Sequence, residues 1–163
     1  MKNVILLLIT SISFFGNSQA IDLNTIKVNG EIKAITTLKE LKSKIEIDSI
    51  ISVPELMDMS TADSLIYIGN SYFEYTTKDN KCISASIDFD EKINSLIIGR
   101  IKLDKSTSYE SLKDNYPISC SELKPMKVYN DSKNYNVCSI PIKDSEKNLL
   151  CFFNKEKLIR IEL

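Results

Sequence analysis

Two similar segments, 71 positions apart, constrain most strongly what this chain can fold into. TTLKELK begins at Thr36, and TSYESLK begins at Thr107. Each opens with hydroxyl side chains followed by a glutamate. This is the pattern of a capping box. A hydroxyl accepts from a backbone N–H of the first helical turn, and the glutamate side chain accepts from the backbone N–H of the hydroxyl residue. We therefore predict two helices, with capping boxes at 37–40 and 107–110.

Each predicted helix has one apolar stripe, with residues at i, i+3 and i+7. The stripe residues are Leu38, Leu41 and Ile45 in the first helix, and Tyr109, Leu112 and Tyr116 in the second. Strand patterns follow each helix. After the first, Gly69-Asn70 separates two strand-like runs, as in a hairpin with a two-residue turn. Segment 83–89 alternates apolar and polar residues, which predicts a strand with one solvent-facing side, and 93–103 predicts a longer strand. After the second helix, the strand-like segments are 135–142, 149–153 and 157–163.

These patterns predict an α+β fold of two tandem units, each a helix followed by an antiparallel β-meander, with the two sheets shared or abutting. The strand runs lie too close together for βαβ crossovers. We assign residues 21–103 to the first unit and 104–163 to the second, as expected from an internal duplication. The alternative is two unrelated amphipathic helices.

This succession of two helix-plus-antiparallel-sheet units resembles the β-lactamase inhibitor protein family and the small modules of outer-membrane assembly lipoproteins. The resemblance is one of architecture and extends over nearly all of the chain after residue 20. In those families a short turn with glycine and proline follows the first helix, whereas segment 46–54 here has Pro54 but no glycine. The lipid-bearing cysteine of the lipoprotein group is also missing. The resemblance implies an exported binding protein and transfers no functional residue.

The first twenty residues, MKNVILLLITSISFFGNSQA, are typical of a secretory signal peptide. Lys2 supplies the positive start, segment 4–15 is almost wholly apolar, and Ser18 and Ala20 are small residues at the −3 and −1 positions of a cleavage site. About twelve apolar residues are too few to span a bilayer, which takes roughly 20. We expect residues 1–20 to be cleaved and the chain from Ile21 to be periplasmic or secreted, with no membrane span.

The composition excludes several kinds of site. The chain has no histidine, which is the usual general base near neutral pH and the commonest metal ligand. Ser-His-Asp and Cys-His sites are therefore excluded, as are zinc and copper sites with histidine ligands. The 21 basic and 22 acidic residues are interspersed, a balance that does not favour binding to nucleic acid or anionic lipid. We predict no catalytic, cofactor-binding or metal-binding residues and no enzyme activity.

Four cysteines allow three complete disulfide pairings: Cys82, Cys120, Cys138 and Cys151. Disulfides are favoured in exported proteins. Cys120 closely follows the second predicted helix. Cys138 lies in the strand-like segment 135–142, where the alternation of side chains points it inward. We predict a Cys120–Cys138 bridge, which would add roughly 3 kcal/mol by loop closure. Cys151 is expected in the core and Cys82 on a polar strand face. The alternative is four free buried thiols that act as small apolar side chains.

Segment 86–91 contains three carboxylates: Asp88, Asp90 and Glu91. A calcium loop needs oxygen ligands at alternating positions and a glycine for the tight turn, and this segment has no glycine. A pair of carboxylates for acid–base catalysis is the other functional interpretation. The polar tip of a hairpin explains the same residues more simply.

Three tyrosines cluster in the first predicted hairpin: Tyr67, Tyr72 and Tyr75. Tyrosine is enriched at binding surfaces because it offers a large contact area, a hydroxyl and little rotamer entropy. We predict these three as partner-binding residues. Because aromatic residues are also ordinary strand formers, packing within the sheet is the alternative.

Three classes of function are compatible with these features. The first is an exported non-catalytic protein that binds another protein through its sheet face, most concretely an inhibitor or immunity protein that neutralises an exported toxin or hydrolase. The second is a structural or assembly protein of the cell envelope, and the third is a hydrolase that uses carboxylates alone. The absence of catalytic motifs and the short exported chain favour the first.

Overall fold

The computed structural model describes residues 19–53, 62–128 and 132–163, so residues 1–18 of the predicted signal peptide lie outside the described residues. Of the described residues, 48% are in strands and 13% in helices. The helical elements are a 3-10 turn at Leu23–Thr25, α1 at Leu38–Lys44 and α2 at Tyr109–Asn115. Neither α-helix, nor any other helix in the described part of the chain, is long and apolar enough to cross a membrane.

The strands are β1 Ile26–Val28, β2 Ile32–Lys33, β3 Ile35–Thr36, β4 Ser49–Ser52, β5 Ser64–Ile68, β6 Ser71–Thr76, β7 Lys81–Asp88, β8 Leu96–Ile98, β9 Ile101–Leu103, β10 Lys124–Lys127, β11 Asn134–Pro141, β12 Asn148–Asn154 and β13 Lys157–Glu162.

The strands form two antiparallel sheets. The large sheet has the order β10-β11-β12-β13-β7-β6-β5-β4, and β3 pairs with β7 beside β13. The small sheet has the order β2-β1-β8-β9. At the centre of the large sheet, β7 pairs with β13, which joins strands that are far apart in the sequence.

The predicted α+β fold of two tandem helix-plus-meander units is wrong, because the chain is mostly β and its strands are combined differently. The two helices have only seven residues each. The segment 93–103, predicted as one strand, is a hairpin of β8 and β9, since Gly99 takes a φ of +59° and reverses the chain. Strand β8 of this hairpin pairs with β1, and β1 pairs with β2 on its other side. Because β1 and β2 precede α1, the four strands form a sheet that the prediction did not contain.

Both helices begin at hydroxyl side chains, although one start was misplaced. In α1 the Oγ1 atom of Thr37 accepts from the N–H of Glu40 at 3.2 Å, as predicted. In α2 the N-cap is Ser108, whose Oγ accepts from the N–H of Ser111 at 3.2 Å. The predicted start at Thr107 is therefore one residue early. The Oγ1 atom of Thr107 accepts from the backbone N–H of Asp104 in the preceding turn, and so does not cap the helix.

One face of the large sheet packs against both helices and the small sheet. We call this the inner face and the opposite one the outer face. The main core includes Leu41 and Leu112 of the helices, Ile26, Leu96 and Leu103 of the small sheet, and Phe73, Ile87, Phe153 and Ile161 of the large sheet. A second, smaller apolar cluster lies on the outer face, because its residues alternate with inward ones along the same strands. Its members are Val128, Val137 and Phe152, with Tyr135, Leu150 and Ile159 packed against them.

Strand β7 departs from the simple alternation that was predicted for it. The alternation in segment 83–89 predicts Ser84 and Ser86 on its solvent-facing side, yet both are buried. The register between β6 and β7 shifts at residues 72–73, which leaves Ala85 as an extra residue in β7. Such a bulge exchanges the inward and outward positions along a strand. Even-numbered residues therefore point inward before Ala85, and Ile87 points inward after it.

Cys120 and Cys138 form a disulfide, as predicted, and both are fully buried. The other two cysteines are free. Cys151 lies in the core, as predicted. The placement of Cys82 on a polar face is wrong, because the bulge in β7 turns it inward and it is fully buried. Burial raises the pKa of the Cys82 thiol to about 11 and raises the pKa of Cys151 further, so both remain protonated at neutral pH.

The two edges of the large sheet differ in character. The β10 edge begins and ends with lysine and contains Pro125, which has no N–H to donate. Such residues protect an edge against pairing with another chain. The β4 edge has no charged residue, and its Ile50 and Ile51 side chains are 45% and 53% exposed.

Candidate functional site

The centre of the outer face brings aromatic and charged side chains together. Cross-strand pairing places Glu162, Ser86, Tyr72 and Tyr67 in one row across β13, β7, β6 and β5. In the neighbouring row, Arg160 of β13 lies opposite Asp88 of β7. We call the following six residues the central patch: Tyr67, Tyr72, Glu74, Asp88, Arg160 and Glu162.

The predicted tyrosines are only partly brought together. Tyr67 and Tyr72 lie opposite each other on β5 and β6, with ring centroids 5.9 Å apart and ring planes inclined by 46°. Tyr75 is three positions further along β6, so it points to the inner face. There it packs against the core, and its hydroxyl lies 3.5 Å from the Oδ1 atom of Asn80. The structure therefore places two of the three tyrosines on the outer face and the third on the opposite side.

An arginine–carboxylate pair forms the charged part of the patch. The Nε atom of Arg160 donates to Oδ1 of Asp88 at 2.7 Å, and Nη2 donates to Oδ2 at 2.5 Å. Two parallel bonds of this kind hold both groups in a fixed orientation. The hydrogen bonds that Arg160 donates to Asp88 raise the pKa of Arg160. Glu162 lies at 3.7 Å from the Nη1 atom, which is longer than a hydrogen bond.

Glu162 is thus a partly buried carboxylate whose negative charge is only weakly balanced by the guanidinium of Arg160. Burial raises its pKa; the charge of Arg160 opposes this shift, and the charge of Asp88 adds to it. Burial also raises the pKa of Tyr72, and the nearby charges of Glu162 and Glu74 contribute in the same direction. Tyr72 therefore stays a neutral phenol, and the patch carries three carboxylates against one guanidinium.

A cavity of about 260 Å³ adjoins the patch at Glu162. Its other lining residues are Leu150, Leu163, Lys147 and Asn148. Leu150 lies directly opposite Glu162 on the neighbouring strand. The carboxylate of Glu162 therefore has an apolar surface on one side and the tyrosine pair on the other.

The acidic segment 86–91 does not form one cluster. Asp88 binds Arg160 on the outer face. Asp90 accepts from the backbone N–H groups of Asn70, Lys92 and Ile93 at 2.9, 2.8 and 2.8 Å. Burial opposes the ionisation of Asp90, but these backbone bonds outweigh it and lower its pKa. Asp90 thus stabilises the loop that follows β7. Among the residues that the structure describes, no group of three or more Cys, Asp or Glu side chains is placed to hold a metal ion.

Sequence reasoning missed Arg160 and Glu162. The signal was present, because charged residues at the alternate positions 160 and 162, with Ile161 between them, mark a solvent-facing side. What the sequence could not show was that β13 lies next to β7, which places Arg160 beside Asp88, 72 positions away.

No protein-family model, no curated protein and no solved structure matches this chain.

Proposed function

We propose that this protein is an exported, non-catalytic binding protein that engages another protein through the outer face of its large sheet. Its most concrete form is an inhibitor or immunity protein that neutralises an exported toxin or hydrolase. The observation that carries the proposal is the central patch, in which the Tyr67–Tyr72 pair lies beside Glu162 and the Arg160–Asp88 pair. Tyrosine and arginine are among the residues most enriched at the positions that contribute most to binding between proteins.

The position of the patch supports the same function. Its residues lie on four adjacent strands in the middle of the large sheet, where both neighbouring ladders hold the backbone. The bidentate Arg160–Asp88 pair also fixes one side chain before any partner arrives. Side chains that are already ordered lose less entropy on binding, so more of the contact energy remains as affinity.

The chemistry of the patch suits binding better than catalysis. Asp88 has both oxygens engaged by Arg160, and the raised pKa of Tyr72 makes this phenol a poor base at neutral pH. The chain has no histidine to act as a general base. An inhibitor or immunity protein needs none of these reactive groups, because it acts by occupying a surface of its target.

Export is supported by the sequence of residues 1–20 and is compatible with the Cys120–Cys138 disulfide, since disulfides persist in oxidising compartments. Mass spectrometry of the protein from its native host should find a chain that begins at Ile21 in the periplasmic or culture fraction. A chain that retains Met1 in the cytoplasmic fraction would contradict export.

Partner binding can be tested with matched tyrosine variants. Tagged protein recovered after export would be used to capture binding proteins from native envelope and culture extracts, as wild type, Tyr67→Ala, Tyr72→Ala and Tyr75→Ala. Tyr75 is the matched control, because the same truncation on the same strand as Tyr72 alters the inner face. Circular dichroism would confirm that each variant is folded.

We expect a specific protein to be retained by wild type and Tyr75→Ala and to be lost with Tyr67→Ala and Tyr72→Ala. Residues that dominate an interface cost about 2 kcal/mol or more on truncation, which calorimetry with the purified partner would measure. If folded Tyr67→Ala and Tyr72→Ala retain the same proteins as wild type, the outer face is not the binding surface.

A further inference from the structure

We infer that the central patch is a docking site for a basic side chain, an arginine or a lysine, on the partner protein. This inference rests on the proposed function and adds the chemistry of the group that the partner must present. Four observations lead to it: the charge balance of the patch, the burial of Glu162, the adjacent aromatic rings and the cavity beside the carboxylate.

The charge balance requires a cation. Asp88 and Glu162 both lie beside the one guanidinium of Arg160, and Glu74 adds a further negative charge near Tyr72. Because Asp88 engages Arg160 through two hydrogen bonds, little of that positive charge is left for Glu162. Among the residues that the structure describes, the 3.7 Å contact with Arg160 is the one ion pair that Glu162 makes. An approaching basic side chain meets attraction at this site, and an acidic one meets repulsion.

The partial burial of Glu162 allows the patch to distinguish a partner with a basic side chain from one with only apolar groups. The side chain of Glu162 is 33% exposed, and those of Arg160 and Asp88 are 25% and 21% exposed. A partner that covers the patch removes the water that still solvates Glu162. If it brings only apolar groups, the carboxylate becomes a buried charge without adequate compensation, which is strongly unfavourable. A basic side chain replaces the lost water with an ion pair, so the patch discriminates between partners.

The tyrosine rings provide the second contact. Tyr72 and Glu162 flank Ser86 on adjacent strands, and strands in a sheet are about 4.8 Å apart. Their backbones are therefore about 10 Å apart, a gap that one extended basic side chain can bridge. A cation within about 6 Å of a tyrosine ring centroid is attracted by the ring. Tyr67, packed against Tyr72, extends this aromatic surface.

The cavity beside Glu162 accommodates the aliphatic part of such a side chain. Leu150 and Leu163 line it, and basic residues pack their methylene groups on apolar surface while the charged end stays polar. Lys147 also borders this cavity, but it is exposed in the turn between β11 and β12. Solvent and salt therefore screen its charge, and the partly buried Glu162 determines the preference.

Short peptides test the site directly. Acetyl-Gly-Arg-Gly-amide and its lysine equivalent are titrated into the ¹⁵N-labelled protein recovered after export, and backbone amide shifts are followed by NMR. The control peptide contains citrulline, which has the shape of arginine without its charge. We expect saturable shifts in β6, β7 and β13 with the arginine and lysine peptides, and binding at least about fivefold weaker with citrulline.

Protein variants then assign the contact to its residues. Glu162→Gln should weaken binding of the basic peptides about fivefold, and Tyr72→Leu should weaken it too. Glu122→Gln makes the same charge change at an exposed position after α2 and should bind as wild type does. Equal binding of arginine and citrulline peptides, unaltered binding by Glu162→Gln, or shifts located away from these strands would each overturn the inference.

The two proposals can fail separately. If the captured partner depends on Tyr67 and Tyr72 but binds Glu162→Gln as tightly as wild type, the basic-residue inference is wrong and the binding function stands. If the peptides bind as expected but no captured protein depends on the tyrosines, the patch recognises basic groups and the proposed protein-binding function is wrong.

Discussion

Removal of the Cys120–Cys138 disulfide should destabilise the protein by about 3 kcal/mol, as follows from the loop that the bridge closes. The two cysteines are 18 positions apart and join the segment after α2 to β11. Replacing both with alanine frees this loop in the unfolded chain and leaves no lone thiol. Both cysteines are fully buried, so the missing sulfur atoms add about 1 kcal/mol through the space they leave.

Urea unfolding followed by circular dichroism measures this loss. The loop-closure part of this loss, about 3 kcal/mol, corresponds to a melting temperature about 10 °C lower for a chain of this size. The urea dependence of the unfolding free energy should become steeper, because the unfolded chain without the bridge exposes more surface. Reductant should shift wild type towards the Cys120→Ala/Cys138→Ala variant. It should leave the variant unchanged, since the remaining Cys82 and Cys151 are free thiols.

Two results would refute this reasoning. One is a wild-type unfolding midpoint that stays the same after mass spectrometry has shown complete reduction. The other is a double variant that loses less than about 1 kcal/mol, far below the loop-closure value. Either result would mean that the unfolded chain keeps this loop restricted even without the bridge, so that the bridge removes little entropy from it.

The other predictions concern the core, a turn and the patch. Leu41→Ala and Leu112→Ala should each lose about 2–5 kcal/mol in thermal or urea unfolding, because both side chains are fully buried; a neutral change would show that the helix concerned is not packed on the sheet. Gly69→Ala should lose about 1–3 kcal/mol, because φ is +58° there and a Cβ would lie 2.0 Å from a carboxylate oxygen. Gly99→Ala is its control, with a φ of +59° and no atom within 4 Å of the added Cβ, and an equal loss in both would exclude the contact as the cause. The raised pKa of Glu162 means that the fold loses stability as pH rises through that pKa. Glu162→Gln should therefore match wild type near about pH 3 and be the more stable form near about pH 7, whereas a difference independent of pH would refute the shift.

Local signals in the sequence predicted the parts of the fold that depend on neighbouring residues. The hairpin around Gly69 follows from a residue that adopts positive φ at no steric cost. The first helix starts at Thr37 because its hydroxyl caps the backbone within three positions. The Cys120–Cys138 bridge was predictable because the loop is short and strand alternation turned Cys138 inward.

Contacts between distant strands could not be predicted in the same way. Nothing near Asp88 indicates that Arg160 lies opposite it, because this depends on the order of strands in the sheet. The bulge at Ala85 is likewise a property of the β6–β7 pairing, and it reversed the expected environments of Cys82 and Ser84. The small sheet was missed because β1 and β2 are too short to show a periodic pattern.

The pairing of β13 with β7 has a consequence for how the chain folds. Residues 157–162 occupy the centre of the large sheet, so its two halves cannot join until this segment has been synthesised. Sheets whose pairings span such long sequence separations fold slowly, because loop entropy must be overcome before the contacts form. During synthesis the chain up to β12 therefore remains incompletely folded.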